Sequence, residues 1–304
     1  MNRKFAVTAF LSLMLSLIGP SELLAATKDA PKSAPKIKTA NKVKSPSAPG
    51  GIKIVSVNQT FGFFSGRLVL NSNGCEAKGE CNVGNGGLKF TQIIDGKKKV
   101  WSVQPGIKTD GASIPKFAQG IIGKPYDGSY LAAAVIHDNF CARETESWKN
   151  THRLFYDMLR SLGIADLKAK IMYAGVVAGS HKWVKVKKPQ SCGQGCTFNL
   201  PAGNQMNGDN FVRGPDNSPV AQTAFATLEA KIIAAPELSL DDIDNAAQQL
   251  LPDDPYIKLR DKAEVTPFEF GTTQVAAPAG DASQPKPNLM KKLLDVKTPD
   301  ATAQ

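Results

Sequence analysis

The sequence predicts an α+β domain: a small antiparallel sheet followed by a three-helix core that carries an H-D helix, with a partly ordered C-terminal extension. Three observations predict it. Short runs rich in Val, Ile and Phe, separated by Gly, Asn and Lys clusters, fill the stretch from Ile52 to Val103. Beyond Gly106 the apolar residues recur every three or four positions, the spacing of a helix face. After Pro189 the periodic signal fades.

Residues 1–26 read as a signal peptide. Asn2-Arg3-Lys4 is the charged start, Phe5 to Ile18 the short apolar run, and Leu24-Ala25-Ala26 the small-residue cleavage site. The run is too short to span a bilayer comfortably, so an exported protein, periplasmic or extracellular, is expected. Residues 27–50 are a basic Ala/Pro/Lys linker, a composition that buries too little apolar surface to offset the entropy of ordering.

Within the compact segment, residues 51–188, strands are expected at Ile52 to Val57, Arg67 to Leu70, Leu88 to Ile94 and Val100 to Val103. The Gly- and Cys-containing stretch from Asn71 to Gly87 reads as a stapled loop. The passage Gly106 to Pro115 is turn-rich, with Ser113 placed as a helix N-cap. Helices follow at Ser129 to Arg143, Ser147 to Leu162 and Ala165 to Trp183. Gly163 ends the second and the lysines before Pro189 end the third. The short link makes the first two antiparallel. Residues 189–270 form an acidic, partly helical extension, with helices at Pro219 to Ala234 and Leu240 to Leu251 and an extended stretch from Pro252 to Phe270. Residues 271–304 read as a disordered tail.

Charge divides the chain. Residues 51–190 hold 20 Lys and Arg against 10 Asp and Glu, whereas residues 191–304 hold 9 against 15. A basic domain suits an anionic partner such as anionic phospholipid or an envelope polymer. No reading motif accompanies the charge, so specific nucleic-acid recognition is not expected. Protein partners are not legible. Five cysteines in an exported chain suggest disulfides within Cys75/Cys81 and Cys192/Cys196, with Cys141 left over; zinc on those two pairs ranks behind.

The densest chemistry lies in Leu131 to Asp157. His137 stands one turn from Cys141, Asp138 is rotated by about 100° from it, and His152 on the next helix can meet either His137 or Cys141. A buried ionisable pair on the apolar Ala-Val-Ile helix needs partners. The bland alternative is a core histidine bonded to the Asp110 loop. Asp110 and Ser113 read first as turn and cap residues. A Ser113-His137-Asp110 triad stays open, although no nucleophile-elbow glycines accompany it. Tyr126, Tyr130, Tyr156 and Tyr173 read as core. His181 and Trp183 read as a surface or membrane-edge pair, and Lys182, Lys185, Lys187 and Lys188 as a solvated patch. No Walker loop, dinucleotide fingerprint or H-E-x-x-H motif occurs.

Two resemblances rest on these residues. Thr109-Asp110-Gly111-Ala112-Ser113-Ile114-Pro115, then Ala133-Ala134-Val135-Ile136-His137-Asp138, Arg153-Leu154-Phe155 and Met172-Tyr173 resemble an uncharacterised domain of bacteriophages and bacteria marked by a T-D-x-A-S-x-P segment and an H-D helix. The helices alone, through His137-Asp138, Phe155-Tyr156-Asp157-Met158 and Tyr173, are similar to the core of prokaryotic secreted phospholipases A2. That second resemblance implies His137 as general base, Asp138 as calcium ligand, and an orienting carboxylate on the partner helix. Two positions depart from it: Cys141 stands where Tyr is usual and His152 where the orienting Asp is usual. Asp110 or His152 would then orient the base.

The exchanged pair admits other chemistry. A Cys141-His152 thiolate-imidazolium pair is one form. A His137, Cys141 and His152 site for a soft metal of the zinc type is another, ranked behind calcium. The leading expectation is a hydrolase of phospholipid-like esters, and the alternative is a non-enzymatic, phage-derived envelope or binding module.

Overall fold

A computed structural model describes residues 51–71, 79–111, 128–187 and 197–275. The expected signal peptide and linker, Ser113 to Pro115, Tyr126, Lys188, Cys75, Cys192, Cys196 and nearly all of the tail lie outside the described residues, and the two expected cysteine pairings fall there with them.

The architecture is α+β. Eight short strands come first: β1 (Ile52–Lys53), β2 (Gly62–Ser65), β3 (Arg67–Leu68), β4 (Leu70–Asn71), β5 (Cys81–Val83), β6 (Lys89–Ile94), β7 (Lys97–Ser102) and β8 (Lys108–Thr109). They form antiparallel sheets ordered β1-β3, β2-β6-β7 and β4-β5-β8. β6 and β7 join through Asp95-Gly96, both at positive φ (50° and 73°). That left-handed pair is what a two-residue hairpin turn needs to match strand twist, and it sets the register from Ile94 opposite Lys97 to Lys89 opposite Ser102. β7 therefore starts three residues before the expected Val100. Its lysines face solvent, so a count of apolar residues misses them. β2, β5 and β8 were not expected at all, and β5 lies inside the stretch expected to be loop.

Three helices carry the core: α1 (Leu131–Arg143), α2 (Trp148–Ser161) and α3 (Asp166–Gly179). α1 is buried along Leu131 to His137, so an apolar run on every side reflects packing on every side. It ends at Glu144, a non-glycine residue at φ 53°. The Glu144 carboxylate accepts from His181, Asn207 and Asn210 at 3.1, 3.1 and 3.0 Å, and these contacts hold a backbone conformation that costs energy for a residue with a Cβ. Ser147 caps α2 by accepting from the Asn150 amide at 3.2 Å.

The third helix is shorter than expected. It stops at Gly179, and Lys182–Lys185 is strand β9. The sequence Lys-Trp-Val-Lys alternates, and pairing Trp183 with Val212 and Val184 with Phe211 of β12 (Asn210–Arg213) buries both. β12 also pairs with β11 (Asn204–Asn207). Trp183 is thus core and not a surface residue, and its indole donates to Glu146 O at 2.6 Å. Lys182 is fully buried, which corrects its place in a solvated patch; Lys185 and Lys187 are exposed as expected. Burial pulls the Lys182 ammonium down to about 8, with Asp254 partly offsetting and Arg213 adding to the fall.

Beyond β10 (Thr197–Asn199), helices α4 (Pro219–Ala234) and α5 (Leu240–Leu250) match expectation, capped by Ser218 and by the Ser239–Asp242 capping box. The stretch expected to be extended instead holds the short helix α6 (Pro255–Lys258), because Asp254-Pro255 supplies an N-cap followed by an N1 proline; β13 (Thr273–Val275) closes against β10. These elements share the core of α1–α3 through Phe225, Leu228, Ile232, Ile243 and Tyr256. Buried Asp244 ties α5 to the others, accepting from Tyr173 and Arg153 at 2.6 Å each. Among the described residues no helix is long and apolar enough to cross a membrane.

Candidate functional site

The short connection after α1 sends α2 back along it, and the two helices bring His137 and His152 together. His137 Nε2 lies 2.9 Å from His152 Nδ1, and both rings are buried. Cys141, one turn along α1, places its sulfur 3.6 Å from His137 Nε2 and 3.8 Å from Nδ1. Ligand atoms of the three side chains lie within 4.8 Å of one another. Phe155 meets His137 at a tilt with centroids 4.9 Å apart, and Trp148 meets His152 edge-on at 5.4 Å, so the pair is walled by aromatic surface.

This surrounding sets the charge states. Burial pushes the Cys141 thiol well above its ordinary value, and the carboxylates of Asp138, Glu144 and Asp110 push the same way. Burial likewise holds His152 well below the usual imidazole range, with the charges of His137 and Lys182 adding to the effect. Cys141 is therefore a thiol and His152 a neutral ring at neutral pH. A resting thiolate-imidazolium pair does not form under these conditions.

Asp138 points out of this cluster. Its Oδ1 is 3.8 Å from His137 Nδ1, and its Oδ2 accepts from Thr109 Oγ1 at 2.6 Å. Thr109 is the last residue of β8, held by pairing with Cys81 of β5, so the T-D-G segment reaches the H-D helix through its threonine. Asp138, Cys141, Asp110, Glu80, Lys108, Ala142, Glu144 and His181 line an open pocket of about 370 Å³. Asp110 is exposed on its rim, while His152 meets the Nε2 of His137. Ser113 lies outside the described residues.

Several partners were not legible in the sequence. Asn139 accepts from the Gln104 amide at 3.0 Å and anchors α1 to the sheet. Gln92 bridges Trp101 and Asp157, accepting from the indole at 2.9 Å and donating to the carboxylate at 2.6 Å. Burial raises Asp157 to about 6, with Gln92 and Arg153 opposing. His181, expected at the surface or a membrane edge, borders the pocket and pairs with Glu144 at 3.1 Å. Burial lowers it below the usual imidazole range despite that partner.

Among the described residues, the buried side-chain polar atoms without a hydrogen-bond partner include His152 Nε2, Trp148 Nε1 and Thr151 Oγ1. The buried Lys182 ammonium lies 5.9 Å from the Trp148 ring and donates to Ala178 O at 3.3 Å.

Comparisons with known proteins bear on this segment. Residues 88–176 match the model of a family described as protein of unknown function (DUF1353). The chain is 34% identical over 162 residues to the uncharacterized protein y4iH of Sinorhizobium fredii (strain NBRC 101917 / NGR234), covering 50% of this chain and 65% of that protein. It is 45% identical over 83 residues to the uncharacterized protein y4jT of the same strain, covering 27% and 25%. The chain thus spans less than two thirds of the length of either relative. No solved structure matches. These relatives bear out the expected uncharacterised domain family and do not show a similarity to phospholipases A2. The segment that holds β6 to α2, and with them His137, Asp138, Cys141 and His152, thus falls within the stretch that matches the family described as protein of unknown function (DUF1353).

Proposed function

We propose that the His137 cluster is a hydrolytic site for phospholipid-like esters on an exported protein. The observation that carries this reading is the 2.9 Å contact from His137 Nε2 to His152 Nδ1, beside an open pocket lined by Asp138. A general base needs one ring nitrogen free and the other held by a partner. His152 holds Nε2, which leaves Nδ1, on the side of Asp138 and Cys141, to take a proton from water.

This assignment fixes the protons. His137 carries its proton on Nε2 and donates it to His152 Nδ1, so the proton of His152 sits on its Nε2, a buried atom with no hydrogen-bond partner among the described residues. His152 supports the neutral base. It stabilises the imidazolium formed during reaction less than a carboxylate would, so turnover is expected to be slow.

The oxygen atoms of Asp138, Asp110 and Glu80 on the pocket wall are of the type a hard cation such as calcium prefers. When bound, such an ion would supply polarisation of the ester carbonyl. The excess of basic residues over 51–190 suits an anionic phospholipid or envelope polymer as the partner.

Fatty-acid release from phosphatidylglycerol and phosphatidylcholine vesicles, with calcium or with chelator, tests the reading. Calcium-dependent release by the full chain, lost in His137→Ala with an unchanged circular-dichroism spectrum, is the expected result. A folded wild-type chain that releases nothing from either lipid contradicts it and points to the non-enzymatic envelope or binding module.

A further inference from the structure

His137, Cys141 and His152 are all buried, and each presents a metal-binding atom to the same small volume. We propose that His137 Nε2, His152 Nδ1 and Cys141 Sγ form a three-ligand site for a thiophilic divalent ion of the zinc type. The inference goes beyond the hydrolytic reading and does not rest on it.

Geometry supplies the first argument. Tetrahedral ligands at about 2.3 Å for sulfur and 2.0–2.1 Å for nitrogen stand about 3.5 Å apart as S···N and about 3.3 Å apart as N···N. Cys141 Sγ and His137 Nε2 are 3.6 Å apart. His137 Nε2 and His152 Nδ1 are 2.9 Å apart, so an ion would part the rings by about 0.4 Å. The shift replaces one hydrogen bond with two coordinate bonds.

Asp138 supplies the second argument. With the ion on Nε2, the His137 proton moves to Nδ1 and faces Asp138 Oδ1, now 3.8 Å away, while Thr109 Oγ1 fixes the other carboxylate oxygen. A carboxylate behind a ligating histidine, itself held by a second donor, is the usual way a protein orients such a ligand. Cys141 also borders the pocket, which offers the ion a way in and room for a fourth, non-protein ligand. A site with three protein ligands and one open position is of the catalytic type; a closed structural site has four.

Protons balance as follows. Cys141 loses its S–H proton to solvent, the His137 proton shifts from Nε2 to Nδ1, the His152 proton stays on Nε2, and one proton is released per ion bound. An ion there also leaves His137 Nδ1 protonated, so the loaded site does not use His137 as a base.

Cobalt(II) titration of the metal-free, full-length chain tests the proposal. The expected result is one equivalent bound, with near-ultraviolet sulfur-to-cobalt absorption that is lost in Cys141→Ser and in His152→Gln and is displaced by one equivalent of zinc. Circular dichroism confirms the fold of each variant. No sulfur-to-cobalt band in the wild type overturns the proposal. So does a band retained in folded Cys141→Ser, which would put the ion on a cysteine outside this cluster. If either variant fails to fold, proton release on zinc binding by the wild type decides: one proton per ion supports the site and none overturns it.

Discussion

His137 on α1 and His152 on α2 face each other across a buried helix pair, Nε2 to Nδ1, at 2.9 Å. Each ring supports the other at that nitrogen, and Cys141 Sγ lies 3.6 Å from the same His137 Nε2. A hydrogen bond from one imidazole to the other gives orientation with little charge stabilisation.

Replacing His152 with a carboxylate should strengthen the base. In His152→Asp the new side chain accepts from His137 Nε2 and stabilises the imidazolium, with the nearby Lys182 charge offsetting the cost of burying it. We expect hydrolysis to rise by at least about tenfold, since losing an orienting carboxylate costs about four orders of magnitude in the serine-protease case. Vesicle hydrolysis by the folded variant checks this, and a fall to background would remove His152 from the orienting role.

Asp157 sets a pH dependence of stability. Its folded value of about 6 lies above the ordinary 3.8, so between those values the folded chain holds more proton than the unfolded one, and this residue weakens the fold as pH rises through that window. Asp157→Asn keeps an oxygen to accept from Gln92. It should raise stability at pH 7 by about 2–3 kcal/mol and leave it little changed at pH 4, as read by denaturant unfolding. His152 acts with the opposite sign. Its depressed value means that stability is lost as pH falls below about 6.5, and Asp157→Asn should unmask that loss.

Asp244 joins three helices, accepting from Tyr173 on α3 and Arg153 on α2 while itself 1% exposed. Asp244→Ala leaves both donors without this acceptor, at an expected cost of about 2–4 kcal/mol. Thermal unfolding should show the loss, and an unchanged midpoint would mean that the acidic C-terminal helices do not support the core.

How much of this was legible follows from where each signal lies. The H-D helix could be read because Ala-Val-Ile residues surround two ionisable ones, and α2 because Ser147 caps a strongly periodic face. The His137-His152 meeting followed from two helices with a short link. The partners on the sheet could not be read in the same way. Thr109, Gln92 and Asn139 are single polar residues whose contacts depend on how strands and helices dock, which local spacing does not encode. β9 did carry a signal in the alternation of Lys182-Trp183-Val184-Lys185, overridden by reading the helix period through Gly179 and Ser180. Glu144 carried none, because a left-handed glutamate is held by Asn207 and Asn210 from more than sixty residues away.

The protons on the two rings decide the central claim most directly. Nitrogen-15 NMR of the imidazoles in the metal-free chain, assigned with His137→Gln and His152→Gln and followed from pH 5 to 8, locates them. The expected result is a His137 proton on Nε2 with Nδ1 bare, and a His152 that carries its proton on Nε2 and stays neutral well below the usual imidazole range. A His137 proton found on Nδ1, or a His152 that titrates like a free imidazole, would contradict it.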